Sequence, residues 1–399
     1  MKRSLIAGLK LVFVSCLFFA LASAVPAAEK QENPRKIIVF RPDFPGKADQ
    51  IKLARDSGAA PIKSLPLING LAAHLPPQAE QALLAKGEVL RIDDDLVVTA
   101  TAAGGQKGKP SPPPQPAQVL PWGVDRINAE LAWPTATGLA VNVAILDTGI
   151  DLDHVDLLAN IKGAVNTINP LKTANDDNGH GTHVAGIVAA VNNEIGVVGV
   201  GPEINLYAVK VLAKNGSGWL SDVIEGLDWC INNDMQVANM SLGSSGDNQS
   251  FHDAIIRAYE AGVILVAAAG NNGSRGGSVD YPAKYPETIA VSAIDQYGGF
   301  ASFSSFGPEV DLAAPGVSIF SAYKTGYYKT LSGTSMAAPH VAGTAALVLT
   351  MPVGAYDSDG DGVWDPAEVQ AKLEATAENL GLSADQQGAG LVRADVAVQ

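Results

Sequence analysis

Apolar positions along the chain fall into three textures. Residues 5–21 form a predominantly apolar run, interrupted by Lys10, behind Lys2 and Arg3, and the small residues Ala22, Ser23 and Ala24 come directly after it. A basic start, an apolar stretch and a small-residue site read, in that order, as a secretory signal over residues 1–24. The run is short for a membrane-spanning helix. Next comes a compact alternation of strands and helices. Residues 36–40 and 70–75 read as strands, 48–57 and 78–85 as helices, and 89–92 and 96–99 close the pattern. This βαββαβ-like order predicts a small α+β domain within residues 25–105. Residues 101–116 (TAAGGQKGKPSPPPQP) are crowded with glycine and proline. Burial cannot offset the entropy of ordering such a stretch, so residues 106–116 read as a linker open to cutting.

From Ala117 onward buried strands alternate with helices. Strands are expected at 141–146, 205–211, 237–241, 263–268 and 288–293, and helices at 181–191, 220–232 and 252–261. The order predicts an α/β domain over residues 117–399, with a doubly wound, mainly parallel sheet flanked by helices. Such sheets place their sites at the carboxyl ends of strands.

Composition narrows the partners. With 41 acidic against 27 basic residues the chain carries a formal charge of −14. That argues against nucleic acid and anionic membranes, and suits cation binding. Once the signal is removed Cys230 is the only cysteine left, so no disulfide within the chain can brace it outside the cell. The neighbours of Cys230 read as a buried helix face, which makes it a core residue.

The chemistry gathers around Gly333-Thr334-Ser335-Met336, a glycine turn that runs into an Ala/Val/Leu-rich helix. A serine at a helix start is either a cap for a free N–H or a nucleophile whose oxyanion those same N–H groups stabilise. Three upstream residues tip the balance. Asp147 ends an apolar strand, His180 opens the small-residue helix in Asn178-Gly-His-Gly-Thr-His183, and Asn271 ends Ala267-Ala-Ala-Gly-Asn271. All four project toward one sheet edge, as nucleophilic acyl transfer requires: serine needs a histidine to take its proton, and the histidine an acid to orient it. The remaining histidines, at 74, 154, 183, 252 and 340, read as packing or local hydrogen-bonding groups.

A second motif is Asp357-Ser-Asp-Gly-Asp-Gly-Val-Trp-Asp-Pro-Ala-Glu368. It puts Asp357, Asp359 and Asp361 at positions one, three and five of an EF-hand-like calcium loop. Gly362 takes the turn, the Val363 carbonyl is the seventh position, Asp365 the ninth and Glu368 the bidentate twelfth.

Together, the segments around Asp147, His180, Asn271 and Ser335 resemble the signature blocks of the subtilisin family of serine proteases, in that family's Asp, His, Ser order. The likeness runs from about Ala117 to the C-terminus. It implies that Asp147 orients, His180 is base then acid, Ser335 is the nucleophile, and Asn271 shares the oxyanion with the Ser335 N–H. It further implies that substrate strands pair with Ser217, Gly218 and Trp219 on one side and with Ser241, Leu242 and Gly243 on the other. Gly270 and Asp280 would line the pocket for the residue before the scissile bond. A family calcium site maps onto the side chains of Gln118, Asp156 and Asn193 and the carbonyls of Val191, Ile195 and Val197. Two or more structural Ca2+ ions would then replace disulfides. The small N-terminal domain resembles a propeptide that inhibits and assists folding, its last strand lying in the cleft.

The expected protein is a secreted, monomeric, calcium-stabilised serine endopeptidase, made as a self-processing zymogen with broad specificity for proteins and peptides. The periplasm is either its destination or a passage. Nucleic acid is excluded as a partner, as is the membrane after signal removal. The alternatives are a processing protease favouring basic residues, through Asp280, and an inactive calcium-dependent binding relative.

Overall fold

The alternation near the amino-terminal end builds a small sheet. The computed structural model describes residues 33–44, 46–101, 115–273 and 276–399. The signal reading and most of the linker reading therefore lie outside the described residues. The chain divides at Asn33/Pro34, and Pro34–Gln399 is one compact unit. Among the described residues no helix is long and apolar enough to cross a membrane.

The first elements are β1 (Arg35–Phe40), α1 (Lys47–Asp56), β2 (Ala60–Leu65), β3 (Gly70–His74), α2 (Pro77–Leu84) and β4 (Val89–Asp94). The four strands form an antiparallel sheet in the order β2-β3-β1-β4. Side chains alternate across a strand, and β1 uses both faces. Ile38 and Phe40 pack into a local core with Leu71, Leu75 and Leu83. Ile37 and Val39 point the other way, into a core shared with the larger part of the chain. The small domain is thus half built of its own apolar surface and half of its neighbour's. The strand β5 (Val97–Ala100) leaves this sheet altogether.

The larger part opens with α3 (Trp122–Arg126) and α4 (Ala129–Ala132). Then come β6 (Asn142–Asp147), β7 (Ile161–Asn166), α5 (His180–Ala189), β8 (Asn205–Lys210), β9 (Ser217–Trp219) and α6 (Leu220–Asn232). Next are β10 (Val237–Met240), β11 (Leu242–Gly243), α7 (Gln249–Glu260), β12 (Ile264–Ala268), β13 (Thr288–Ile294) and β14 (Leu312–Pro315). The hairpin β15 (Ile319–Tyr323) and β16 (Tyr327–Leu331) leads into α8 (Thr334–Val348), and α9 (Pro366–Ala375), α10 (Ala384–Gln387) and α11 (Ala394–Ala397) complete the chain.

Seven strands pair in parallel in the order β14-β13-β12-β10-β6-β8-β7. Alternation along β6 fixes the layers. Val143 and Ile145 face the core that contains α5 and α8, while Ala144 and Leu146 face that of α6 and α7. Every residue of α8 is buried, so this helix needs no polar face. It lies in the core with its first turn at the carboxyl edge of the sheet.

Candidate active site

Asp147 is the last residue of β6 and is fully buried. Its carboxylate accepts from Thr148 N at 2.6 Å, and both its oxygens face His180 Nδ1, at 2.8 and 2.9 Å. The close approach depends on Gly181. A Cβ there would lie 2.1 Å from the Gly149 carbonyl oxygen, so α5 can reach the end of β6 only with glycine behind the histidine. Buried Asp176 fixes the same turn by accepting from Thr148 Oγ1 and from the backbone of Asn178, Gly179 and Thr182. Burial works against charging His180, but the charge of Asp147 and its hydrogen bond outweigh it, and the histidine pKa is raised above its ordinary 6.5. His180 Nε2 is buried and carries no hydrogen bond.

Ser335 is the second residue of α8, and Gly333 occupies the cap position at φ +153. The cap reading of the serine therefore falls away. Its hydroxyl donates to the Ser241 carbonyl at 3.1 Å and lies 2.7 Å from Thr101 Oγ1. Pro339 has no N–H for the Ser335 carbonyl four residues back, and Ser241 Oγ fills that place at 2.9 Å. Asn271 receives Thr334 N and Oγ1 on its Oδ1, at 3.1 and 3.2 Å. Its Nδ2 is left to donate to the Thr101 carbonyl. The Ser335 N–H lies in the first turn of α8, where helix geometry leaves donors without an intrahelical acceptor. The structure therefore joins Asp147 to His180, and Ser335 and Asn271 to Thr101. It does not join Ser335 to His180, because Thr101 and Ser241 hold the serine hydroxyl.

The strand β5 explains how Thr101 arrives there. It runs antiparallel between two edges, with Val97, Val98 and Thr99 opposite Trp219, Gly218 and Ser217. On the other side Thr99 and Ala100 lie opposite Gly243 and Leu242, and Thr101 N donates to Ser241 O at 3.3 Å. All six residues expected to flank a substrate strand thus flank this segment of the chain. Within it Val98 is fully buried. Beyond Thr101, Gly270 (φ +106) leaves room that a Cβ would fill: it would meet the Asp280 carboxylate at 2.4 Å. Asp280 is 8% exposed and accepts from Asn272 Nδ2 at 2.9 Å. Burial raises its pKa, and the Asn272 bond opposes that rise.

The other histidines are spoken for. His183 Nε2 faces the carbonyls of Lys329 and Ile319, and burial pushes its pKa down to about 3. His340 Nδ1 faces the Met336 carbonyl, and burial pushes its pKa to about 4. His154 meets the Tyr327 carbonyl, and His252 pairs with Glu287. Cys230 is buried within α6, where desolvation raises its thiol pKa.

Two groups of expected calcium ligands also gather. Gln118 Oε1 accepts from Asn193 N at 2.6 Å, while Asn193 Nδ2 and Val197 N donate to the Asp156 carboxylate at 3.1 and 2.9 Å. Val191 N bonds the Asp156 carbonyl, and Ile195 N bonds Asn193 Oδ1. Asp156 is fully buried, and among the described residues no lysine or arginine forms an ion pair with it. A buried carboxylate without a counter-charge is costly, so this donor set fits a divalent cation. In the acidic loop, carboxylate oxygens of Asp357, Asp359 and Asp361 lie within 4.8 Å of one another. Asp365 and Glu368 instead form a reciprocal cap on α9, with Glu368 Oε1 also accepting from Ser358 N at 2.6 Å. Val363 is exposed beside them. Three carboxylates gathered at one loop fit the same hard cation.

Comparison with known proteins agrees with this geometry. The profile described as the subtilase family matches residues 138–391. The chain is 40% identical over 381 residues to the thermostable alkaline protease of Halalkalibacterium halodurans, covering 95% of this chain and 96% of that one. It is 39% identical to subtilisin J of Geobacillus stearothermophilus, covering 98% of each chain. Subtilisin Savinase of Lederbergia lenta is 46% identical over its whole length and 71% of this chain.

Proposed function

The chain belongs to the subtilase family of serine endopeptidases, and on that premise we propose a secreted zymogen that cuts itself after Thr101 and then hydrolyses proteins with broad specificity. His180, its Nδ1–H held by Asp147, takes the Ser335 proton at Nε2 once the hydroxyl turns from Thr101. The freed oxygen attacks the carbonyl carbon of the residue in the Thr101 position. The oxyanion accepts from Asn271 Nδ2 and the Ser335 N–H. The proton on Nε2 then passes to the leaving amine, and an ester on Ser335 remains. Water, deprotonated by the same nitrogen, releases the acid and restores the serine.

One observation carries this reading: the Thr101 carbonyl lies on Asn271 while its hydroxyl covers Ser335, at the end of a strand paired on both sides. Residues 34–101 thus lie as a cut inhibitor would, the part of a propeptide. Pairing through backbone alone reads few side chains, which favours broad specificity. The segment after the cut is trimmed towards Ala117, where the chain bridges to Ile195. Calcium at the Asp156 site and at the Asp357–Asp361 loop supplies the counter-charge that steadies the domain. Residues 1–24 direct the chain out of the cell.

A fluorophosphonate probe tests the nucleophile. One adduct is expected, on Ser335 of the processed enzyme, and none in His180→Ala. An unlabelled, correctly folded wild type would favour an idle calcium-dependent binding relative instead.

The buried carboxyl of Asp280 favours a narrower second reading, in which basic residues before the scissile bond are preferred. Ionised, it would attract lysine or arginine. The kcat/KM ratio for Arg-ending over Phe-ending peptides is then expected to fall in Asp280→Asn, and an equal ratio in both proteins removes this reading.

A further inference from the structure

Lys63, on β2, reaches across to the larger domain. Its ammonium bonds Asp222 Oδ1, Glu225 Oε2 at 2.7 Å and the Thr167 carbonyl at 2.7 Å. Beside it the Arg35 guanidinium lies 4.5 Å from the Trp219 ring centroid and donates to Ser221 Oγ at 3.0 Å. Both cations belong to the segment that leaves on processing. Asp222 is 3% exposed, and burial disfavours its charge while Lys63 and then Arg35 favour it. Release of residues 34–101 therefore strips two carboxylates and an indole face of the cations that match them. This part of the surface already holds an ammonium group.

The same aspartate borders the cleft. Val97, opposite Trp219, opens onto a cavity of about 380 Å³ lined also by Ile168, Ala213, Asn215 and Asp222. Counting back from Thr101, Val97 is the fifth residue before the proposed cut. We propose that in the mature enzyme Asp222, Glu225 and the Trp219 ring form a subsite for a lysine or arginine side chain at that fifth position. A long apolar stem crosses the cavity while the charged end meets the carboxylates, and arginine can also lie over the indole. The proposal rests on the reading that residues 34–101 are released, since Lys63 fills the site until they are.

The test uses processed enzyme and fluorogenic peptides carrying the sequence 96–101 with Lys or Gln in the fifth position. A kcat/KM ratio of roughly fivefold in favour of Lys is expected at low salt, shrinking as salt is added. Asp222→Asn, which keeps the shape at the start of α6, and Glu225→Gln should each bring the ratio towards one. A wild-type ratio near one, or a ratio that survives both substitutions, overturns the subsite. Intact mass separates the two ideas: if residues 34–101 stay bound to an enzyme that cleaves these peptides, the release reading fails and the subsite fails with it.

Discussion

Ser335→Ala accumulates as a chain uncut after Thr101, and its peptide hydrolysis falls by on the order of 10⁶-fold, the size of effect expected when a triad nucleophile is lost. The argument is local. Ser335 is the hydroxyl that touches Thr101 at 2.7 Å, beside the Asn271 amide that holds the Thr101 carbonyl. Alanine removes one oxygen from a helix buried along its whole length, so the fold and the seated β5 persist. The wild type has a matching acid limit. His180 must be neutral to accept a proton, and Asp147 raises its pKa above 6.5 against the effect of burial. Activity therefore rises with pH through a midpoint above 6.5 and is lost below it. A Ser335→Ala chain processed at the wild-type rate, with no other protease present, would remove the serine from the mechanism.

Stripping calcium lowers the melting temperature on the order of 10 °C for each ion lost. Each ion held at a thousandfold excess over its Kd contributes about 4 kcal/mol, and a domain of this size shifts by ~2–4 °C per kcal/mol. The measurement belongs in Ser335→Ala, where self-digestion cannot shift the transition. Asp156→Asn and Asp359→Asn should each remove part of the drop, because the two sites lie on separate loops. An EDTA-insensitive transition, with bound calcium verified beforehand, contradicts the role of calcium as the brace that replaces disulfides.

Much of the fold was legible because local pattern and tertiary demand coincide. The apolar run before Asp147 is a buried strand in both sequence and structure, and Gly181 beside His180 marks a place where backbone must approach backbone. β2 was not singled out: Pro61 and the bulge before Lys63 break its alternation. The β15–β16 hairpin gave no warning that it would hold the helix carrying His180, through Ser321 and the carbonyls around His183. Spacing alone was ambiguous at Asp365 and Glu368, since a calcium loop's ninth and twelfth positions are also the two ends of a capping box. The change in composition begins at Thr101, but nothing local says that this residue meets the nucleophile; only strand register brings Thr101 to Ser335. The pairing of Lys63 with Asp222 spans 159 residues and is equally silent in the sequence.

Mass spectrometry of the peptide released when purified full-length protein matures tests the central claim most directly. The expected product has Thr101 as its last residue, with the partner chain beginning at Ala102 or trimmed from there. A first cut at any other bond, or maturation that proceeds with Ser335 absent, contradicts a cleft already loaded with its own first substrate.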